Sequence, residues 1–161
     1  MGERITGFPP EFDKESKVFI LGSFPSVKSR ANGFYYGNPQ NRFWKMLSSY
    51  FQTPMPETNE QKRAFLHARR IALWDTVASC EIVGSADADI KNYAPARLEE
   101  VLENADIRLI LLDGKRALAV FEENYKDCGV EYKVMPSTSP ANPRYSYQPW
   151  KEALDGVFKA D

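Results

Sequence analysis

One histidine and two cysteines are all that this chain of 161 residues offers as soft metal ligands. Cys80 and Cys128 lie far apart and show none of the short spacings of a zinc site, and two thiols are too few for a four-cysteine iron–sulfur cluster. They read as reduced thiols of a cytoplasmic protein. His67 precedes Arg69 and Arg70 on a polar stretch, belongs to no motif, and reads as a solvated helix histidine. No apolar run approaches the ~20 residues of a membrane helix. The stretch from Met1 to Pro10 lacks the apolar core of a secretory leader. No Walker loop, GxGxxG turn, internal repeat or low-complexity tract is present. The expectation is one domain over residues 1–161, with one core, no cofactor and no metal.

The shortage that says most is a local one, of acid. The net charge is −1, which taken alone argues against nucleic acid. Yet no Asp or Glu stands between Glu15 and Glu57, where Lys17, Lys28, Arg30, Arg42 and Lys45 lie. Nor does one stand between Glu131 and Glu152, a window holding Lys133, Arg144 and Lys151. The other 13 basic residues share the rest of the chain with all 22 acids. Two basic windows on an acidic remainder make a basic face if they meet in space, and a phosphate-bearing partner would be drawn to it. Chance segregation on a solvated surface is the other reading of the same charges.

Apolar runs alternate with helical patterns. Lys17–Leu21 reads as a buried strand and Ile107–Leu112 as the strongest central strand, with shorter strands over Ile71–Trp74 and Val130–Met135. Helices are expected over Asn41–Phe51, Thr58–Arg70, Pro95–Asn104 with its proline in the first turn, Lys115–Tyr125 and Pro149–Lys159. This alternation implies an α/β fold with a mostly parallel sheet covered by helices on both faces. Ligands of such sheets bind at the carboxyl ends of the strands. Two segments that follow strands are too long for plain connections, Gly22–Gln40 and Pro136–Tyr147. Both are rich in Gly, Pro, Ser, Asn and Tyr, and both fall in the acid-free windows.

The first segment runs Gly22-Ser23-Phe24-Pro25-Ser26 and on to Tyr36-Gly37-Asn38-Pro39-Gln40-Asn41-Arg42-Phe43-Trp44. The second is Pro136-Ser137-Thr138-Ser139-Pro140-Ala141-Asn142-Pro143-Arg144. Aromatics beside amides and basic groups suit a nucleobase that stacks, is read on its edge and is held through its phosphates. A tyrosine-rich core turn beside a proline-rich surface loop would look the same.

The order and spacing of these motifs resemble the uracil-DNA glycosylase superfamily. Gly22–Pro25 and Pro39–Trp44 are similar to the GINPG loop and PxNxFW stretch of its mismatch-specific and thymine-DNA branch, and Pro136–Asn142 to its second motif, HPSPLS. The combination of GSFP, YYGNPQNRFW and PSTSPAN most resembles the hypoxanthine-DNA glycosylase branch, as do the LWDTVASCE and SADADIKNY stretches and the LLDGKRA junction. The resemblance implies a three-layer αβα sandwich around about four strands. It implies a monofunctional, cofactor-free enzyme that flips hypoxanthine, or alternatively uracil, out of DNA and hydrolyses its glycosidic bond. A cytoplasmic monomer is expected, nucleoid-associated in a prokaryote.

The resemblance also carries roles. Asn41 matches the catalytic amide of the hypoxanthine branch, and Asn38 is the second choice. Gly22, Ser23 and Phe24 form the turn at the base, Tyr36 holds the stacking position, and Asp113 stands where relatives often read a base edge with Asn. Arg30, Arg42, Lys45, Ser137, Ser139 and Arg144 are the expected DNA contacts, and Ala141 and Asn142 occupy the wedge that fills the hole left by the flipped base, with Tyr145 in support. Three departures stand out. Phe24 replaces a water-orienting Asn, Ser137 replaces the leaving-group His, and Asp113 brings a carboxylate in place of an amide. Lys115 follows a strand, but the family uses no amine nucleophile. Asp75, Asp87 and Asp89 look scattered and carry no assigned role. A DNA-binding module without activity and a nucleotide-binding enzyme on a similar sheet are the rival readings.

Overall fold

Four strands order as β3-β2-β6-β7, all parallel: β2 (Val18–Gly22), β3 (Ile71–Asp75), β6 (Leu109–Asp113) and β7 (Tyr132–Met135). The computed structural model describes residues 3–82 and 90–159; Asp87 and Asp89 lie outside them. The central strands β2 and β6 read Val-Phe-Ile-Leu-Gly and Leu-Ile-Leu-Leu-Asp, unbroken apolar runs because helices leave neither face to water. The edge of β3 is covered by Glu11, whose N–H and C=O each bond Leu73 at 2.9 Å. The opposite edge, β7, exposes Lys133, which keeps other strands from pairing there.

The helices are α1 (Val27–Asn32), α2 (Phe43–Phe51), α3 (Asn59–Ala68), α4 (Glu99–Leu102), α5 (Lys115–Tyr125) and α6 (Gln148–Phe158). α2 buries Phe43, Trp44, Met46 and Leu47 against the sheet. α3 starts on a capping box between Thr58 and Gln61. Its His67 faces Asp13, with Nδ1 3.1 Å from Oδ2, so it is paired and not merely solvated. α6 sinks Trp150 completely, and the indole N–H donates to the Pro136 carbonyl at 2.9 Å, which pins the start of the second motif.

Two expectations need correction. The segment Gly22–Gln40 is not all loop, because Ser26 caps α1 by accepting the Ser29 N–H. The helix expected over Pro95–Asn104 is confined to α4, and Pro95 instead ends a strand. A second sheet of order β1-β4-β5, antiparallel, is built from β1 (Glu3–Thr6), β4 (Val77–Ile82) and β5 (Ile90–Pro95). Proline is tolerated at the end of an outer strand, where its missing N–H costs no ladder bond. This sheet has its own small core of Phe24, Val77 and Cys80, so the turn after β2 is held from both sheets.

Candidate active site

The parallel register fixes what meets at the carboxyl ends of the strands. Gly22 pairs with Asp75, and Leu21 with Leu112, so Asp75 and Asp113 flank Gly22 on either side. Neighbouring strands lie ~4.8 Å apart, and the absent side chain of Gly22 opens a gap between the two acids. A Cβ on Gly22 would come 2.7 Å from Asp75 Oδ1 and 3.1 Å from the Tyr36 hydroxyl. Above this floor lies a cleft of about 250 Å³, lined by Gly22–Ser26, Tyr36, Asn38, Asn41, the start of α5 and Ser137–Pro140. Both motif segments therefore line one cleft.

Tyr36 descends into it from a left-handed backbone position, φ 53°. One ring face stacks on Phe43 at 4.0 Å and 16°. Its hydroxyl is buried and closes no hydrogen bond of ordinary geometry. Burial, followed by the negative fields of Asp113 and Asp75, drives this phenol well above its usual pKa.

Asn41 and Asn38 use their carbonyl oxygens on the backbone. Asn41 Oδ1 accepts the Phe43 N–H at 2.8 Å, and Asn38 Oδ1 accepts the Gln40 N–H at 3.0 Å. The bonds settle which end of each amide is which, leaving the NH2 groups as donors. α2 begins two residues after Asn41, and the residue at its cap position is Arg42, without a side-chain cap bond. The Asn41 oxygen thus does part of a cap's work from one residue further back.

In the turn after β2, the Gly22 carbonyl accepts the Thr76 N–H at 2.7 Å and the Ser23 carbonyl accepts the Val77 N–H at 3.0 Å. In a trans peptide the N–H points opposite to the C=O. The N–H groups of Ser23 and Phe24 therefore point away from the β3–β4 connection. The Phe24 side chain is buried and carries no polar group.

Thr138, fully buried, joins the second motif to the strand end. Its N–H donates to Asp113 Oδ1 at 2.9 Å and its hydroxyl to Oδ2 at 2.7 Å. Its carbonyl accepts the Arg42 N–H at 3.1 Å. Burial raises the Asp113 carboxyl to about 6, held back from a further rise by the Thr138 donors and by Tyr36. Gly114, at φ 97°, follows it; a Cβ there would press on Ser137 at 3.1 Å.

The basic residues divide. Arg42 Nη1 donates to the carbonyls of Ser139 and Asn142, and its guanidinium lies over the Tyr145 ring at 4.9 Å. It braces the second motif where the sequence suggested a phosphate contact. Arg30 lies over the Phe24 ring, 6.0 Å from the centroid, and is not among the residues that line the cleft. Lys45 is exposed on α2, outside the lining. Arg144 is exposed on an adjoining hollow with Ala141 and Asn142. Both ends of the Asn142 amide are engaged, with Ser137 O and Arg144 N, which leaves the exposed loop tip to Ala141. Ser137 and Ser139 hydroxyl oxygens accept the backbone N–H groups of Ser139 and Ala141, and their own protons stay available. Residues without an assigned role in the sequence also line the cleft: Asp75, Thr138 and Arg116, with Lys115 beside it. Asp75 lies in the LWDTVASCE stretch without an assigned role, and the register beside Gly22 is what brings it to the cleft.

An aromatic wall, free amide donors, turn N–H groups and a half-buried acid in one cleft can hold and polarise a flat heteroaromatic group. A family model described as the uracil DNA glycosylase superfamily matches residues 9–155. A hypoxanthine DNA glycosylase of Methanosarcina barkeri is 33% identical over 155 residues, covering 95% of this chain and 97% of the relative. Its namesake in Methanosarcina acetivorans is 35% identical over 144 residues, 87% and 89% of the two chains. The solution NMR structure of a Methanosarcina acetivorans protein named as a candidate uracil DNA glycosylase superposes with a TM-score of 0.84 at 31% identity, covering 96% and 98%.

Proposed function

This chain belongs to the uracil DNA glycosylase superfamily and is a monofunctional DNA glycosylase, and we propose that the base it removes by preference is hypoxanthine, with uracil second. The observation that carries the reading is the convergence of both motif segments on one cleft at the strand ends, in a chain similar throughout to proteins named for hypoxanthine. The flipped base stacks on the face of Tyr36 that Phe43 leaves open. Glycosidic cleavage passes through an oxocarbenium-like sugar. With Phe24 unable to orient water, that task goes to the Asn41 amide, with Asn38 beside it. An amide is a poor proton acceptor, which suffices when the base has nearly departed before water attacks. The N–H groups of Ser23 and Phe24 stabilise charge on the departing base, as an oxyanion hole does. Ser137, Ser139, Lys45 and Arg144 hold the phosphates, joined by Lys115 and Arg116 at the start of α5.

Base release from duplexes containing hypoxanthine, uracil, xanthine or an undamaged base tests the reading. Hypoxanthine is expected to be freed fastest, leaving an abasic site that alkali and not the enzyme cuts. Fastest release of uracil would reassign the base, and an inert protein that still binds DNA would be a binding module.

Salt separates braces from phosphate ligands. Replacing Lys115 and Arg144 by Gln is expected to weaken DNA binding and flatten log Kd against log salt by about one unit for each phosphate no longer neutralised. Arg42→Gln is expected to lower stability, since it strands two carbonyls, and to leave the slope nearly unchanged. The reverse pattern would exchange these assignments.

A further inference from the structure

Departure of a purine leaves negative charge on its rings, and the second motif holds Ser137 where the superfamily resemblance leads one to look for His. The turn N–H groups of Ser23 and Phe24 can stabilise that charge but not neutralise it, which takes an acid. Among the described residues lining the cleft, the acids are Asp75 and Asp113. Asp75 is buried beneath the floor, while Asp113 keeps partial access to the cleft.

We propose that Asp113 is the proton donor of this site, handing a proton to N7 of the departing purine as the C1′–N9 bond breaks. The inference rests on the glycosylase reading above. Asp113 sits at the end of β6, beside the Gly22 gap, and Thr138 holds both of its oxygens, itself held through the Arg42 N–H. A protonated Oδ2 still accepts from the Thr138 hydroxyl and turns its own O–H to the cleft. The C1′–N9 electron pair goes to the purine, N7 takes the Asp113 proton, and the base leaves neutral. Water then bonds to C1′, and the proton it sheds restores the acid.

The groups that face Asp113 are consistent with a site kept partly protonated near neutrality. Asp75 stands across Gly22 on β3, Tyr36 lies above, Tyr145 comes from the second motif, and Lys115 and Arg116 open α5. Burial dominates over the donors and brings the carboxyl to about 6, in the range a general acid needs.

Single-turnover release of hypoxanthine between pH 5 and 8 tests this. The wild-type rate is expected to fall about tenfold per pH unit above about 6, as the protonated fraction falls. Asp113→Asn keeps both bonds to Thr138, accepting the N–H and donating to the hydroxyl. It is expected to be about a hundredfold slower at pH 5.5 and flat across the range. Tyr36→Phe removes a neighbour that holds the carboxyl's pKa down, so its alkaline fall is expected to begin at higher pH. A merely structural Asp113 would leave the shape of the profile unmoved. A wild type that releases no hypoxanthine at any pH overturns the underlying reading and the acid with it. A wild-type rate that is flat, or an Asp113→Asn variant that keeps the alkaline fall, overturns the acid alone.

Discussion

Asn41→Ala is expected to fold and to release hypoxanthine some 10²–10³-fold more slowly in single turnover, the loss typical of removing a preorganised polar group from a transition state. The proposed function asks a second task of Asn41 beside its backbone bond. Its oxygen accepts the Phe43 N–H at 2.8 Å, and its NH2 group belongs to the cleft wall. The first task concerns stability, and losing such a bond at a helix start costs about 0.5–2 kcal/mol. Asn41→Asp separates the two. A carboxylate keeps the Phe43 bond and suits the positive end of α2, but it has no amide donor. That variant is expected to match the wild-type Tm and still lose most of the chemical rate. Asn38→Ala is expected to be milder. Wild-type release by Asn41→Ala, with only a lowered Tm, would make the residue a cap and move catalysis to Asn38 or to the turn of Gly22–Phe24.

Gly22→Ala is the second large effect. The added methyl meets Asp75 Oδ1 at 2.7 Å and the Tyr36 hydroxyl at 3.1 Å. Neither can retreat easily, because Asp75 lies in a buried strand and the Tyr36 ring is stacked on Phe43 at 4.0 Å. Overpacking of this kind costs about 1–3 kcal/mol, or roughly 2–4 °C of Tm per kcal/mol for a domain of this size. Lifting Tyr36 also moves the surface on which the base stacks, and a displacement of about 1 Å at a reacting centre can cost about a hundredfold in rate. Thermal melting and single-turnover release would show both losses. Wild-type values in both would mean that the floor yields and that the gap over Gly22 is not required.

Much of the central sheet was legible because its signals are local. The apolar runs of β2 and β6 have the length and the branched or aromatic content of strands buried on both faces, and α5 occupies Lys115–Tyr125 as its periodicity predicts. β4 and β5 were not legible. β4 buries only Val77 and Cys80, none of Lys91–Pro95 in β5 is buried, both strands include a charge, and they owe their form to antiparallel pairing, β4 with β5 and with the distant β1. The same pairing shortened the helix expected from Pro95. Arg42 illustrates the limit for a side chain. Its place in a basic window suggested phosphate, and nothing local foretold that its Nη1 would reach two carbonyls of the second motif, about a hundred residues away in sequence.

By itself the sequence determined that two unusual segments follow strands, that both fall where acid is missing, and that one carries Asn41 and Tyr36 while the other carries Ser137 and Ser139. Composition, spacing and order are properties of the chain, and they need no folded state to be read. Only the tertiary structure decided that Asp75 and Asp113 flank Gly22, that Tyr36 lowers its hydroxyl toward them, and that Thr138 holds Asp113 in place. The reason is that parallel pairing sets residues far apart in sequence side by side at one edge of a sheet. There the character of a carboxyl depends less on its neighbours in sequence than on its burial and on the donors that reach it.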